Sequence, residues 1–176
     1  MTAPWQPLLE WWFGSAQAPS DVAADKGKLW FGKHDRQDLE AQTRFGDWVE
    51  QALAGGLTDW AQRPDGWLAL VLLLDQLPRM IYRDSPKAFC GDLRAQALVA
   101  QGIAADFDRQ LQPIQRVFIY LVFEHCENLA VQNEAVSRYI DLVNQQPEGD
   151  QALFTDYLNY AEKHQKVIAR FGRFPH

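Results

Sequence analysis

Eight consecutive apolar residues, Trp67 to Leu74, run without interruption through the middle of the chain and end directly on Asp75. A helix built from them has no polar face to turn toward water, so it is stable only when neighbours cover every side. The run is also far short of the roughly 18 apolar residues that a bilayer crossing demands. It therefore predicts a buried central helix that the rest of the chain must wrap. The 176 residues, 47% hydrophobic and 12% aromatic, supply the wrapping. A chain of this length buries roughly two-thirds of the surface it exposes when unfolded, with no need of a disulfide or metal.

The wrapping elements read as helices too. Phe45, Trp48, Val49, Ala52 and Leu53 follow the i, i+3, i+4, i+7, i+8 spacing of one helix face, closed by Gly55 and Gly56. Phe154, Tyr157, Leu158, Ala161, Gln165 and Ile168 form a second stripe, which Gly172 can end in the left-handed conformation. Strand-like alternation is not evident in any segment. Pro64, Pro86 and Pro113 stand where helices can begin, because a first-turn position loses nothing by lacking an N–H, and Ser85 is placed to cap. Pro78 instead interrupts the central helix after Gln76 and Leu77 and crowds the Leu74 carbonyl, which predicts a kink. The expectation is one all-α domain over residues 1–176, with seven or eight helices joined by short connections.

Charge and cysteine usage exclude several classes. With 17 Lys and Arg against 23 Asp and Glu the net charge is −6, the wrong sign for a nucleic-acid backbone or an anionic membrane surface. Cys90 and Cys126 make no Cys-x-x-Cys pair and read as free thiols. The stretch Met1 to Gly14 carries Glu10 among its apolar residues and reads as an amphipathic helix instead of a signal peptide, so a cytoplasmic location is expected. No His-Glu-x-x-His, phosphate loop or Gly-x-Gly-x-x-Gly is present, and the spacing of His164 and His176 fits no zinc pattern, so neither metal nor cofactor is expected.

Polar residues at the ends of apolar helices are the candidates for chemistry. Asp75, leaving water at the tip of the central helix, needs a partner, and Arg79 at i+4 offers one. The pair is either a structural brace at the kink or, with Gln76, the floor of a pocket. Glu124 and His125 close a second apolar helix, Val117 to Phe123, combining a carboxyl with a base at the edge of the core. Adjacent helix residues face different ways, so the two need different partners. Gln132 and Asn133 add amides beyond them. His164 takes a place near the apolar stripe of the last helix and can point inward. Arg170, Arg173 and His176 make an aromatic and cationic tail with anion-binding capacity. The rings of Trp11-Trp12-Phe13 and Trp30-Phe31 belong either to the core or to an exposed aromatic groove.

Taken together, Trp12-Phe13-Gly14, Trp30-Phe31-Gly32, Leu74-Asp75-Gln76-Leu77-Pro78-Arg79, Phe118 to Glu127 and Phe171-Gly172-Arg173-Phe174-Pro175-His176 resemble the bacterial family known as domain of unknown function 924, over essentially the whole chain. The resemblance implies a tetratricopeptide-repeat-like stack of antiparallel helix pairs and brings no established activity. It places recurring polar residues at Asp75, Gln76, Arg79, Tyr82, Glu124, His125, Gln132, His164, Arg170, Arg173 and His176. Met80 and Cys126 depart from the Asn and Ser usual there. The family pattern also runs on past His176 through Arg-Asn and a short Gly- and Ser/Thr-containing tail; if that tail closes over a pocket, this chain either lacks part of the site or has been cut short.

Three functions fit these residues. A concave helical stack can bind a small anionic ligand or a peptide at the polar site around the central helix. A metal-independent acid–base enzyme, such as a hydrolase, would use Glu124 or His125 as proton carrier and Arg79 or Arg173 to hold an anionic substrate, with Asp75 orienting the arginine. A purely structural network would satisfy the same groups with no ligand at all. Convergence of Asp75, Glu124 and His164 on one open cleft favours the first two.

Overall fold

The apolar run is the axis of the molecule. In the computed structural model, which describes residues 2–175, every residue from Gly66 to Leu74 is buried. Among the described residues the chain forms nine α-helical segments: α1 (Gln6–Phe13), α2 (Pro19–Phe31), α3 (Asp35–Leu53), α4 (Pro64–Leu74), α5 (Gln76–Ile81), α6 (Asp92–Ala104), α7 (Pro113–Glu124), α8 (Leu129–Asn144) and α9 (Gln151–Phe171). Short 3-10 turns fill the connections, and no strand occurs among the described residues. Helices α4 and α5 are one rod broken at Asp75, which gives eight helices in the sense the sequence predicts. None is long and apolar enough to cross a membrane.

Helix α4 packs against α3, α5, α6 and α7, while α8 and α9 form an antiparallel hairpin that leans on α7. This packing is compatible with stacked helix pairs. Pro64 and Pro113 open α4 and α7, Pro86 opens a 3-10 turn whose Ser85 hydroxyl accepts from the Lys87 N–H at 3.3 Å, and Gly172 closes α9 at φ 71°. The break in the central rod falls at Asp75 (φ −108°, ψ −64°), ahead of the position after Leu77 that the sequence suggested. The reason is steric: the ring of Pro78 crowds the carbonyl four residues before it, on Leu74, so the rod opens there. Pro78 then lies in the first turn of α5, where its missing N–H costs little.

The early aromatic residues are core. Trp12 and Trp30 are buried, Phe118 of α7 meets the Trp30 ring at 4.8 Å, and the Trp30 indole N–H donates to the Trp12 carbonyl at 2.9 Å. Phe31 alone of that group turns outward, 59% exposed. On the opposite side of α4, the Trp67 indole N–H donates to the Leu98 carbonyl at 2.7 Å, which draws α6 so close that a Cβ on Gly102 would lie 2.1 Å from the Trp67 ring. Gly102→Ala is accordingly expected to destabilise the protein by about 1–3 kcal/mol, read as a lower urea midpoint at unchanged slope. An unmoved midpoint would contradict this close approach.

Candidate functional site

Breaking the rod at Asp75 leaves its carboxylate at the junction of α4, α5 and α7 with no exposure to solvent. Its oxygens accept from Gln76 Nε2 at 2.8 Å and from Arg79 Nη1 at 3.1 Å, and His125 Nδ1 lies 2.8 Å away. An ionised carboxylate only accepts, so His125 donates through a proton on Nδ1. Burial pushes the Asp75 carboxyl up, but His125, Arg79 and Gln76 outweigh it and hold the carboxyl below its ordinary value. Arg79 continues the chain of contacts, with Nη1 and Nη2 donating to the two Asp92 oxygens at 2.8 and 3.0 Å and Nη1 also to the Asp75 carbonyl at 2.9 Å. The guanidinium is thus shared between two carboxylates, one at the break and one in the first turn of α6.

Glu124, the last residue of α7, is 1% exposed, and its Oε1 has no hydrogen-bond partner among the described residues. His164 Nδ1 lies 3.3 Å from that oxygen, but its proton is directed to the Tyr160 carbonyl at 2.9 Å, one helical turn back. The Tyr139 hydroxyl, also close, donates to the Val117 carbonyl at 2.8 Å. Burial pushes the Glu124 carboxyl up to about 8, Tyr139 opposes this in part, and the negative charge of Asp75 adds to it. At neutral pH Glu124 is therefore mostly a carboxylic acid, able both to donate and to accept. Burial also lowers His164, against the pull of the Tyr160 carbonyl and with the help of nearby His125, so its ring is neutral under the same conditions.

Above Glu124 opens a cleft of about 770 Å³ between α2, α5, α7, α8 and α9. Its walls are largely apolar and aromatic, with Trp30, Phe31, Leu121, Tyr157 and Tyr160 among them, while Gln76, Arg79, Arg83 and Glu124 bring polar groups. Arg83 is itself held by Asp38, its Nε and Nη2 each donating at 2.8 Å. Predominantly apolar walls with a few convergent polar groups are the usual make-up of a small-molecule site.

Of the residues singled out from the sequence, Gln76, Arg79 and Glu124 line this cleft; Asp75 and His125 stand directly behind, and His164 flanks Glu124. Gln132 serves the helix end instead, since its buried Nε2 donates to the carbonyls of Phe123, Glu124 and Cys126 and so closes the C-terminal end of α7. Tyr82 caps α5 away from the cleft, its hydroxyl on Glu50 and its ring under Lys87. Arg170 and Arg173 are exposed, and His176 lies outside the described residues. The tail nonetheless returns to the site, since the Phe174 N–H donates to Glu127 at 2.6 Å and its ring packs on His164. Sequence reasoning missed Asp92, Arg83 and the tyrosines of the wall. Tyr157 was visible only as part of an apolar stripe, and nothing local marks Asp92 as the partner of an arginine 13 residues earlier.

The same architecture occurs in a solved structure, that of a protein of unknown function from Agrobacterium tumefaciens, which superposes with a TM-score of 0.74 at 32% identity, covering 90% of this chain and 86% of that one. No curated protein matches the chain. The model of the family described as bacterial protein of unknown function (DUF924) matches residues 8–176, and the chain belongs to that family.

Proposed function

We propose that the protein is a small-molecule-binding module whose ligand enters the cleft and is met at its floor by Glu124. One observation carries this reading: a carboxyl oxygen, buried and without a hydrogen-bond partner among the described residues, beside an aromatic-walled hollow. An unsatisfied buried polar atom costs about 1–3 kcal/mol, and a ligand that completes its hydrogen bond recovers that cost. Gln76 and Arg79 line the cleft beside Glu124, and Asp75 and His125 brace them from behind.

Gly27 provides the test. It lies on the α2 wall of the cleft, and a Cβ there would meet nothing within 4 Å. Gly27→Leu should thus narrow the cleft from its α2 wall with no clash at the new Cβ, and the gain in helix propensity should stabilise the fold by about 0.5–1 kcal/mol. A thermal-shift screen of small organic compounds is expected to yield ligands that raise the Tm of the wild type by several degrees at about a hundred times their Kd, with no shift in Gly27→Leu. Hits that shift both proteins equally, or a broad screen without hits, would remove the cleft as a binding site.

A second reading, acid–base catalysis on the bound molecule, is favoured by the two carboxyl–imidazole pairs set side by side, Glu124 with His164 and Asp75 with His125. Following each cleft ligand by NMR during prolonged incubation separates the two, since a binding module returns its ligand unchanged.

A further inference from the structure

Resting on the reading of the cleft as a small-molecule site, we propose that its ligand is a protonated amine carried on an aromatic or apolar body, with the nitrogen seated against Glu124 and the body between Phe31, Tyr157 and Tyr160. Two features of the cleft lead here, and they are independent of one another.

The first is how the charge is distributed. An anionic ligand would need a guanidinium with free charge, and both arginines of the cleft are already matched. Arg79 is shared by Asp75 and Asp92, and Arg83 is held in a fork by Asp38. Asp156 adds a further carboxylate at the rim. Two cations thus stand among four carboxylates before Glu124 is considered, an arrangement that repels an incoming anion and attracts a cation.

The second feature is the wall. The rings of Phe31 and Tyr157, with centroids 6.3 Å apart, and of Tyr160 on the next turn of α9 line the cleft. Aromatic faces attract ammonium groups through the ring quadrupole and pack against apolar bodies equally well. At the floor, the Glu124 carboxyl, whose buried Oε1 has no hydrogen-bond partner among the described residues, is the acceptor such a nitrogen requires.

Seating an ammonium there displaces the proton of Glu124. The acid gives its proton to the buffer, and the carboxylate left behind pairs with the cation, so amine binding at about pH 7 releases close to one proton per ligand. The other ionisable groups around Glu124 do not substitute for it. Asp75 is committed to His125 and Arg79, while Tyr139 from α8 and Tyr157 from α9 are pushed upward by burial and stay protonated. His164 from α9 is held low and stays neutral, Tyr160 reaches the site as a ring at the rim, and the cleft-lining residues of α2 include no ionisable side chain.

Three probes of one shape decide the matter: phenethylamine, phenethyl alcohol and hydrocinnamate, titrated calorimetrically in buffers of different ionisation enthalpy. A small fragment of this kind is expected to bind with a Kd of roughly millimolar order. Phenethylamine should bind the wild type at least about tenfold more tightly than hydrocinnamate and release about one proton. Glu124→Gln should abolish the release and reduce the amine to the level of the alcohol. Tighter binding of hydrocinnamate with proton uptake, or amine binding without release, overturns the amine and leaves the cleft standing as a binding site. If none of the three binds while the screen finds ligands that Gly27→Leu excludes, the amine falls and the cleft again stands. If neither the probes nor the screen give binding, both fall.

Discussion

Replacing Glu124 by Gln is expected to stabilise the protein strongly in mild alkali and scarcely at all in acid. The folded-state carboxyl titrates at about 8 against an ordinary value of 4.5. A group whose pKa is raised by folding contributes stability that is complete below the unfolded value and lost as pH rises through the folded one. Wild-type stability should therefore fall between about pH 4.5 and pH 8 on account of this residue, whereas the amide, which carries no proton to lose, is indifferent. At 1.36 kcal/mol per unit the separation bounds the effect at about 5 kcal/mol, and entry of water into the open cleft should leave about 2–4 kcal/mol of it. Asp75 works in the opposite sense: its lowered carboxyl stabilises above its ordinary value of 3.8 and stops doing so as pH falls through the folded one. Only the difference between the two proteins isolates Glu124. Urea midpoints measured side by side from about pH 4 to pH 9 should diverge with rising pH. Curves that stay parallel would show that Glu124 is hydrated, which would also remove the observation on which the binding function rests.

The architecture was legible because helices announce themselves locally. The all-round apolar run fixed α4 as the centre, the stripe from Phe154 to Ile168 fixed the buried side of α9, and prolines marked where α4 and α7 begin. The site was legible only where its contacts are local. Asp75 and Arg79 are one turn apart and pair as their spacing predicts. His125 reaches the same carboxylate from 50 residues away, and Asp92 reaches the same arginine from a different helix. Such pairings arise from packing, and no periodicity in the sequence encodes them. Geometry did allow one long-range inference: adjacent residues on a helix diverge, so Glu124 and His125 had to face different neighbours, and His125 bonds Asp75 while Glu124 lies beside His164 without a hydrogen bond to it. Charge was the hardest property to read. Arg79 looked available to an anion from its own segment, and only the fold brings Asp92 against it.

The second large effect is expected at that arginine. Arg79→Met keeps most of the buried stem while removing the guanidinium, so the change acts on charge more than on packing. It leaves Asp75, fully buried, with only Gln76 and His125, and strips Asp92 of both its hydrogen bonds. Breaking a buried ion pair on one side costs about 3–5 kcal/mol, far more than the pair itself contributes, because a desolvated charge is left behind. Two consequences distinguish this from simple loss of packing. Neutralising the survivor should recover part of the loss, so Asp75→Asn combined with Arg79→Met is expected to be more stable than Arg79→Met alone. The penalty should also shrink toward acid. Without Arg79 the Asp75 carboxyl rises, and once pH drops below the value it holds in the wild type, both proteins carry it protonated and the difference between them narrows. Arg79→Lys restores the charge but not the planar fork that engages two carboxylates at once, which places it between the wild type and Arg79→Met. A cost under about 1 kcal/mol for Arg79→Met would instead be the signature of an exposed pair. The break in the central rod would then owe nothing to the polar network beneath it, and the floor of the cleft would have no rigid support.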